Sequence, residues 1–172
     1  REECGTAMEI LAPAGSMESL EAAVRSGADA VYLGGSHFSA RANARNYSDE
    51  ELRQAVRYCH GRGVKVYLAL NTLLLDSELP EAIRAASFAA SLPVDAILVQ
   101  DLGLLRLLKR LSPCLPLHAS TQMSIHTPGG ARALWEAGCS RVVLSREMSL
   151  SEMKEVSEEV PIELEAFVHG AL

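Results

Sequence analysis

The chain has 172 residues, with 16 basic against 22 acidic and a formal net charge of −6. Hydrophobic residues make up 48% and charged residues 22%, a balance that excludes a disordered or fibrous chain. Charge is spread evenly over the two halves, so composition announces no basic nucleic-acid face. No apolar run approaches the ~18–20 residues of a membrane span. The start, Arg1-Glu2-Glu3-Cys4, lacks the basic and apolar regions of a secretory signal. A cytoplasmic protein without membrane association is expected.

In chain order, short aliphatic runs predict strands at 9–12, 30–33, 64–70, 96–100, 117–120, 142–145 and 162–168. Six amphipathic stretches lie between them. Ser16 is placed to cap the first, and Gly27 to end it in a left-handed residue. Ser48-Asp49-Glu50-Glu51 is a capping box for the second helix. Its Leu52, Ala55, Val56 and Cys59 share one face, and Gly61 is expected at its left-handed end. Asp101 caps the fourth helix. Thr127-Pro128 supplies a cap and a first-turn proline for the fifth, which Gly138 ends. Ser149-Leu150-Ser151-Glu152 repeats the capping box.

Strict β-α alternation calls for a parallel sheet with right-handed crossovers. An open doubly wound sheet would carry a Gly-x-Gly-x-x-Gly turn after its first strand, where this chain has Ala12-Pro13-Ala14-Gly15. The unbroken register favours the other α/β architecture, a parallel (βα) TIM-type barrel. Such barrels take ~250 residues. About seven strands and six helices therefore read as an incomplete barrel over residues 8–172, with 1–7 an extra N-terminal segment. A seam left open between the first and seventh strands predicts homo-oligomers through that edge.

The strand interiors are apolar, but their C-terminal ends are not. Asn71-Thr72, Gln100-Asp101, His118 to Gln122 with Ser120 between, Ser145-Arg146-Glu147 and His169 follow successive strands. Arg41, Asn43 and Arg45 lie in the long loop after the second. In a barrel these converge on the rim that carries function. Asp101 and Thr127 also read as helix caps. On the seventh strand Glu163, Glu165, Phe167 and His169 share the face that points into the barrel. A confined carboxylate needs a partner. Glu163 is expected to pair with Arg141, and Glu165, nearer the rim, to draw on Arg146 or Arg41. His118 and His169 are the acid–base candidates by residue type, with His118 equally readable as a hydrogen-bonded core residue. Cys4, Cys59, Cys114 and Cys139 form no C-x-x-C or zinc spacing and read as reduced thiols. No His-Glu-x-x-His, closed nucleophile elbow or phosphate loop occurs.

Several segments together resemble one family. They are Glu9 to Gly15 (EILAPAG), Gly27 to Gly34 (GADAVYLG), Phe38 to Ala44 (FSARANA), Leu70-Asn71-Thr72, Gln100 to Gly103 (QDLG), Ser120 to Ser124 (STQMS), Arg141 to Glu147 (RVVLSRE) and Glu165 to Leu172 (EAFVHGAL). These resemble the collagenase-like peptidase family U-32, over almost the whole chain from Met8. The Arg41 loop and Asn71 to Leu75 look closest to its long ribosomal-RNA cytidine hydroxylase type.

The resemblance implies oxygen-independent hydroxylation of rRNA or tRNA bases, or of a quinone. It implies RNA as partner, a small carboxylate oxygen donor such as prephenate, and a 4Fe-4S cluster held by four cysteines. The first of those cysteines would follow Leu172, so no cofactor is expected in this chain and redox inactivity is expected of it alone. Under this reading Arg41, Asn43, Asn71, Gln100, Ser120, Gln122, Arg146 and Glu147 bind substrate, while Glu165, His169 and His118 are the catalytic candidates. A peptidase, as the family name states, and a non-catalytic partner subunit of the ubiquinone-hydroxylation type remain the alternatives.

Overall fold

A computed structural model describes residues 8–35 and 47–169. Strands and helices alternate as β1 (Leu11–Pro13), α1 (Met17–Arg25), β2 (Ala30–Gly34), α2 (Asp49–His60), β3 (Lys65–Leu70), α3 (Leu79–Ser91), β4 (Ala96–Val99), α4 (Leu102–Leu111), β5 (Leu117–Ala119), α5 (Pro128–Glu136), β6 (Arg141–Val143), α6 (Leu150–Glu159) and β7 (Glu163–Glu165). Short 3₁₀ turns at Asp76–Glu78 and Thr121–Met123 interrupt the loops after β3 and β5. Among the described residues no helix is long and apolar enough to cross a membrane.

The helices start where their caps put them. Ser16, Ser48, Asp101, Thr127 and Ser149 each accept a backbone N–H of the first turn through the side chain. Gly27 and Gly138 take φ of 90° and 99° after α1 and α5, as their positions predict. The end of α2 differs. Gly61 stays right-handed with φ −62°, and Gly63 carries the positive φ of 72°. The helix runs on through two tightening turns, so the left-handed residue that releases the chain toward β3 falls two positions later than expected.

All seven strands pair in parallel, in the order β1-β2-β3-β4-β5-β6-β7. Each strand alternates between two environments. One face packs on the helices and forms the main core, where Leu20, Leu33, Ile97, Leu104, Leu105, Leu108, Leu117 and Leu144 are fully buried. Leu52, Ala55, Val56 and Cys59 of α2 join it, as their spacing predicts. The other face carries a smaller apolar cluster of Ala30, Tyr67, Ala96 and Leu98, flanked by Leu11 and Tyr32.

The sheet curls. Glu9, just before β1, lies 2.7 Å from Arg141 Nη1 on β6. On a flat sheet, strands five places apart stand about 24 Å from one another, beyond the reach of the two side chains. β1 therefore bends back toward β6. Seven parallel strands with six helices outside make an open half-barrel, with β1 and β7 as its edges among the described residues.

Every strand but β2 is shorter than expected, β7 most of all. β5 stops at Ala119 because residues 121–123 close into a 3₁₀ turn, ending at Ser124 with φ 55°. β7 stops at Glu165, although 162–168 alternates as a strand should.

Candidate functional site

Parallel strands send their C-terminal ends to one rim. There Asn71, just past β3, donates from Nδ2 to Ser120 Oγ at 3.3 Å, joining the end of β3 to the end of β5. Ser120 is buried and Asn71 half-buried. Gln100 is half-buried past β4, and Asp101 beside it is occupied as a cap, its Oδ1 accepting from Leu104 N–H at 2.8 Å. Gln122 is exposed on the 3₁₀ turn, and Arg146 and Glu147 are exposed past β6. The Arg146 guanidinium lies over the Phe167 ring, 4.3 Å from its centroid. His169 is exposed past β7. Arg41, Asn43, Arg45, His37 and Cys4 lie outside the described residues.

A second polar cluster occupies the interior, toward the strand N-termini. Its members meet because of register. Leu98, His118, Arg141 and Glu163 are paired in turn across β4, β5, β6 and β7, on one face of the sheet. Arg141 Nη2 donates to Glu163 Oε2 at 2.8 Å, the pairing its spacing predicts. Arg141 Nη1 donates to Glu9 Oε1 at 2.7 Å. Lys65 Nζ reaches Glu9 Oε2, and Tyr67 Oη reaches Glu9 Oε1, each at 2.7 Å. Burial works to raise the Glu9 carboxyl, but hydrogen bonds from Lys65, Arg141 and Tyr67 outweigh it and hold it down at about 2.

Glu165 belongs to this interior cluster. Its Oε2 stands 3.5 Å from Arg141 Nη1 and receives no hydrogen bond among the described residues. Burial raises its carboxyl above the ordinary range, partly countered by Arg141. Among the described residues its cation is thus Arg141 of β6 and not Arg146; Arg41, the other expected partner, lies outside the described residues. Glu165 is paired with Val143, so Arg141 lies two residues back on the same face, within the joint reach of the two side chains. His118 is also interior. It is 4% exposed, packs edge-on against Tyr67 with ring centroids 4.8 Å apart, and among the described residues leaves Nδ1 without a hydrogen-bond partner. Burial, then the Arg141 charge, pushes its imidazole down to about 3, so it stays neutral.

The expected residues therefore separate into two groups. Asn71, Gln100, Ser120, Gln122, Arg146, Glu147 and His169 lie at or beyond the rim, while His118 and Glu165 lie in the interior around Arg141. Sequence reasoning passed over Glu9, Lys65 and Tyr67. The signal was available in the run Lys65-Val66-Tyr67, whose alternation sets a cation and a phenol on one face of β3, the face shared with Ala96 and Leu98 of β4.

Two further histidines are engaged away from this cluster. His60 Nε2 meets Asp95 Oδ2 at 2.9 Å, and His126 Nδ1 meets the Ser124 carbonyl at 2.8 Å. Cys59 and Cys139 are buried, with thiols raised to about 11 by burial, and Cys114 is exposed. Among the described residues no group of three or more His, Cys, Asp and Glu is arranged to hold a metal. The described cysteines do not fit a four-thiolate cluster, since Cys59 and Cys139 are buried apart from exposed Cys114.

Comparison with known proteins follows from this architecture. The sequence profile of Peptidase family U32 matches residues 15–172. An uncharacterized protease of Methanocaldococcus jannaschii is 40% identical over 96% of this chain and 41% of its own length. The 23S rRNA 5-hydroxycytidine C2501 synthase of Escherichia coli is 39% identical over 96% of this chain and 25% of its own. The tRNA hydroxylation protein P1 of Bacillus subtilis is 36% identical over 95% of this chain and 39% of its own. This chain thus spans two fifths or less of the length of these two RNA-hydroxylation relatives. Among solved structures, the U32 peptidase Mk0906 superposes with a TM-score of 0.76 at 17% identity, covering 96% of this chain and 70% of that one.

Proposed function

This chain belongs to Peptidase family U32, and on that premise we infer that it is the barrel of a cytoplasmic RNA-modifying protein, one that presents a base of rRNA or tRNA for oxygen-independent hydroxylation. The observation that carries this reading is the likeness, 36–39% identical over 95–96% of the chain, to relatives named for hydroxylating rRNA and tRNA. The character of the rim supports it. Asn71, held from beneath by buried Ser120, offers with Gln100 and Gln122 the mixed donors and acceptors that recognise a base edge, and Arg146 offers a cation to phosphate. In this reading Arg41 and Asn43 complete the substrate contacts from the loop after β2, with Glu147 beside Arg146. His169 acts as a hydrogen-bonding neighbour of the reacting base. Glu165 and His118 fix the interior on which the rim rests.

Among the described residues His60, His118 and His126 engage Asp95, Tyr67 and a backbone carbonyl, rather than a serine, threonine or cysteine side chain as in a Ser–His or Cys–His pair.

The test is a nucleoside profile of total rRNA and tRNA by mass spectrometry, with and without the gene. Loss of one hydroxylated nucleoside, restored by the intact gene and not by an Asn71→Ala/Ser120→Ala version, is the expected result. A profile unchanged by deletion refutes the reading.

A further inference from the structure

We propose that Phe167 and Arg146 form a stacking platform for one unstacked base of single-stranded RNA, at the rim between β6 and β7. The proposal rests on the RNA reading above and names the pair that grips the base. Aromatic residues are only 5% of this chain, and most of its large apolar side chains are buried. Phe167 is instead 41% exposed, at the rim where strand C-termini converge. Its ring is not loose, because the Arg146 guanidinium lies over it, 4.3 Å from the centroid. A guanidinium on an aromatic face is a favourable contact in its own right. It also steadies the ring, whose exposed part can receive a base.

The backbone beneath the pair is fixed. Leu144 N–H donates to the Glu165 carbonyl at 2.9 Å, tying the end of β6 to the end of β7. Ser145 N–H donates to the Ile125 carbonyl at 2.9 Å, and Thr121 Oγ1 to the Leu144 carbonyl at 3.3 Å. Arg146 and Phe167 thus each follow within two residues of a hydrogen-bonded rim position. A platform on such a frame loses little freedom when a base settles on it. On the neighbouring strand end, Ser120 is held by Asn71. A base stacked at β6–β7 therefore lies next to the hydrogen-bonding group at β5. Stacking supplies sequence-tolerant grip, and the polar side chains supply the choice of base.

The experiment uses the intact protein and a single-stranded RNA decamer carrying one 2-aminopurine, read by anisotropy for affinity and by 2-aminopurine emission for stacking. Phe167→Leu keeps the apolar bulk and removes the π face. It should weaken binding about 10- to 100-fold and abolish the quenching. Phe167→Tyr should retain both. Arg146→Lys should keep the salt dependence and lose part of the quenching. Arg146→Ala should lower the salt slope by about one. Wild-type affinity and quenching in Phe167→Leu, with a nucleoside profile that still depends on the gene, overturn the platform and leave the RNA function standing. No binding by the wild-type protein, with a profile indifferent to the gene, overturns both.

Discussion

The neutral His118 should make this barrel lose stability at an unusually mild acid pH. Its ring is 4% exposed beside Tyr67, and burial with the Arg141 charge pushes it down to about 3. In the unfolded chain it returns to about 6.5. Between those values the unfolded chain holds one more proton on this ring than the native chain does. Stability therefore falls as pH drops through this window, by about 1.4 kcal/mol per unit for one proton. From about pH 6.5 to pH 5 the loss is about 2 kcal/mol, a sizeable part of the 5–15 kcal/mol typical of a domain. Glu9 acts in the same direction, but only below the ordinary carboxyl value of 4.5, as it is protonated toward about 2. The upper part of the window thus isolates the histidine from the Glu9 carboxylate. Urea unfolding followed by circular dichroism at about pH 7, 6 and 5 measures it, for the wild type and for His118→Phe. Phenylalanine fills nearly the same space against Tyr67 and carries no proton. The wild type should lose about 2 kcal/mol more than the variant between the extremes. Equal pH slopes for the two proteins would refute the reasoning, because every other histidine is common to both.

Arg141→Met removes the cation shared by Glu9, Glu163 and Glu165 and should cost about 3–5 kcal/mol in urea unfolding at neutral pH, with Glu165→Gln recovering part of it. A cost under about 1 kcal/mol would show that Lys65 alone satisfies the cluster. In a Cys4→Ser background, Cys114 should react with a disulfide reagent at once, while Cys59 and Cys139, buried and raised to about 11, should react only as the chain unfolds. Three equally fast thiols would contradict the burial of α2 and of the turn before β6.

The fold was largely legible because its signals are local. A serine, aspartate or threonine placed to receive the first turn's N–H groups marks a helix start wherever it occurs, and α1, α2, α4, α5 and α6 begin at their caps. Alternation on β7 likewise put Glu163 on the face it occupies, beside Arg141. Gly61 and Gly63 show the limit of such signals. Both glycines follow α2, and only the backbone path into β3 selects which one turns left-handed. The collection of Asn71, Gln100, Ser120, Gln122 and Arg146 at strand ends was also legible, since a parallel sheet sends those ends one way.

The depth of each charged side chain was not legible. Glu165 stands at the C-terminal end of β7 in sequence, yet its carboxylate answers to Arg141 at the start of β6. Glu9 and Arg141 are 132 residues apart and meet only because seven strands curl. Sequence by itself determined the elements, their order and the faces of their strands, through contacts of a few residues' reach. The tertiary structure alone decided that Glu9 and Glu165 join the Glu163–Arg141 pair, because sheet curvature sets those distances and burial then sets what His118, Glu9 and Glu165 do with a proton.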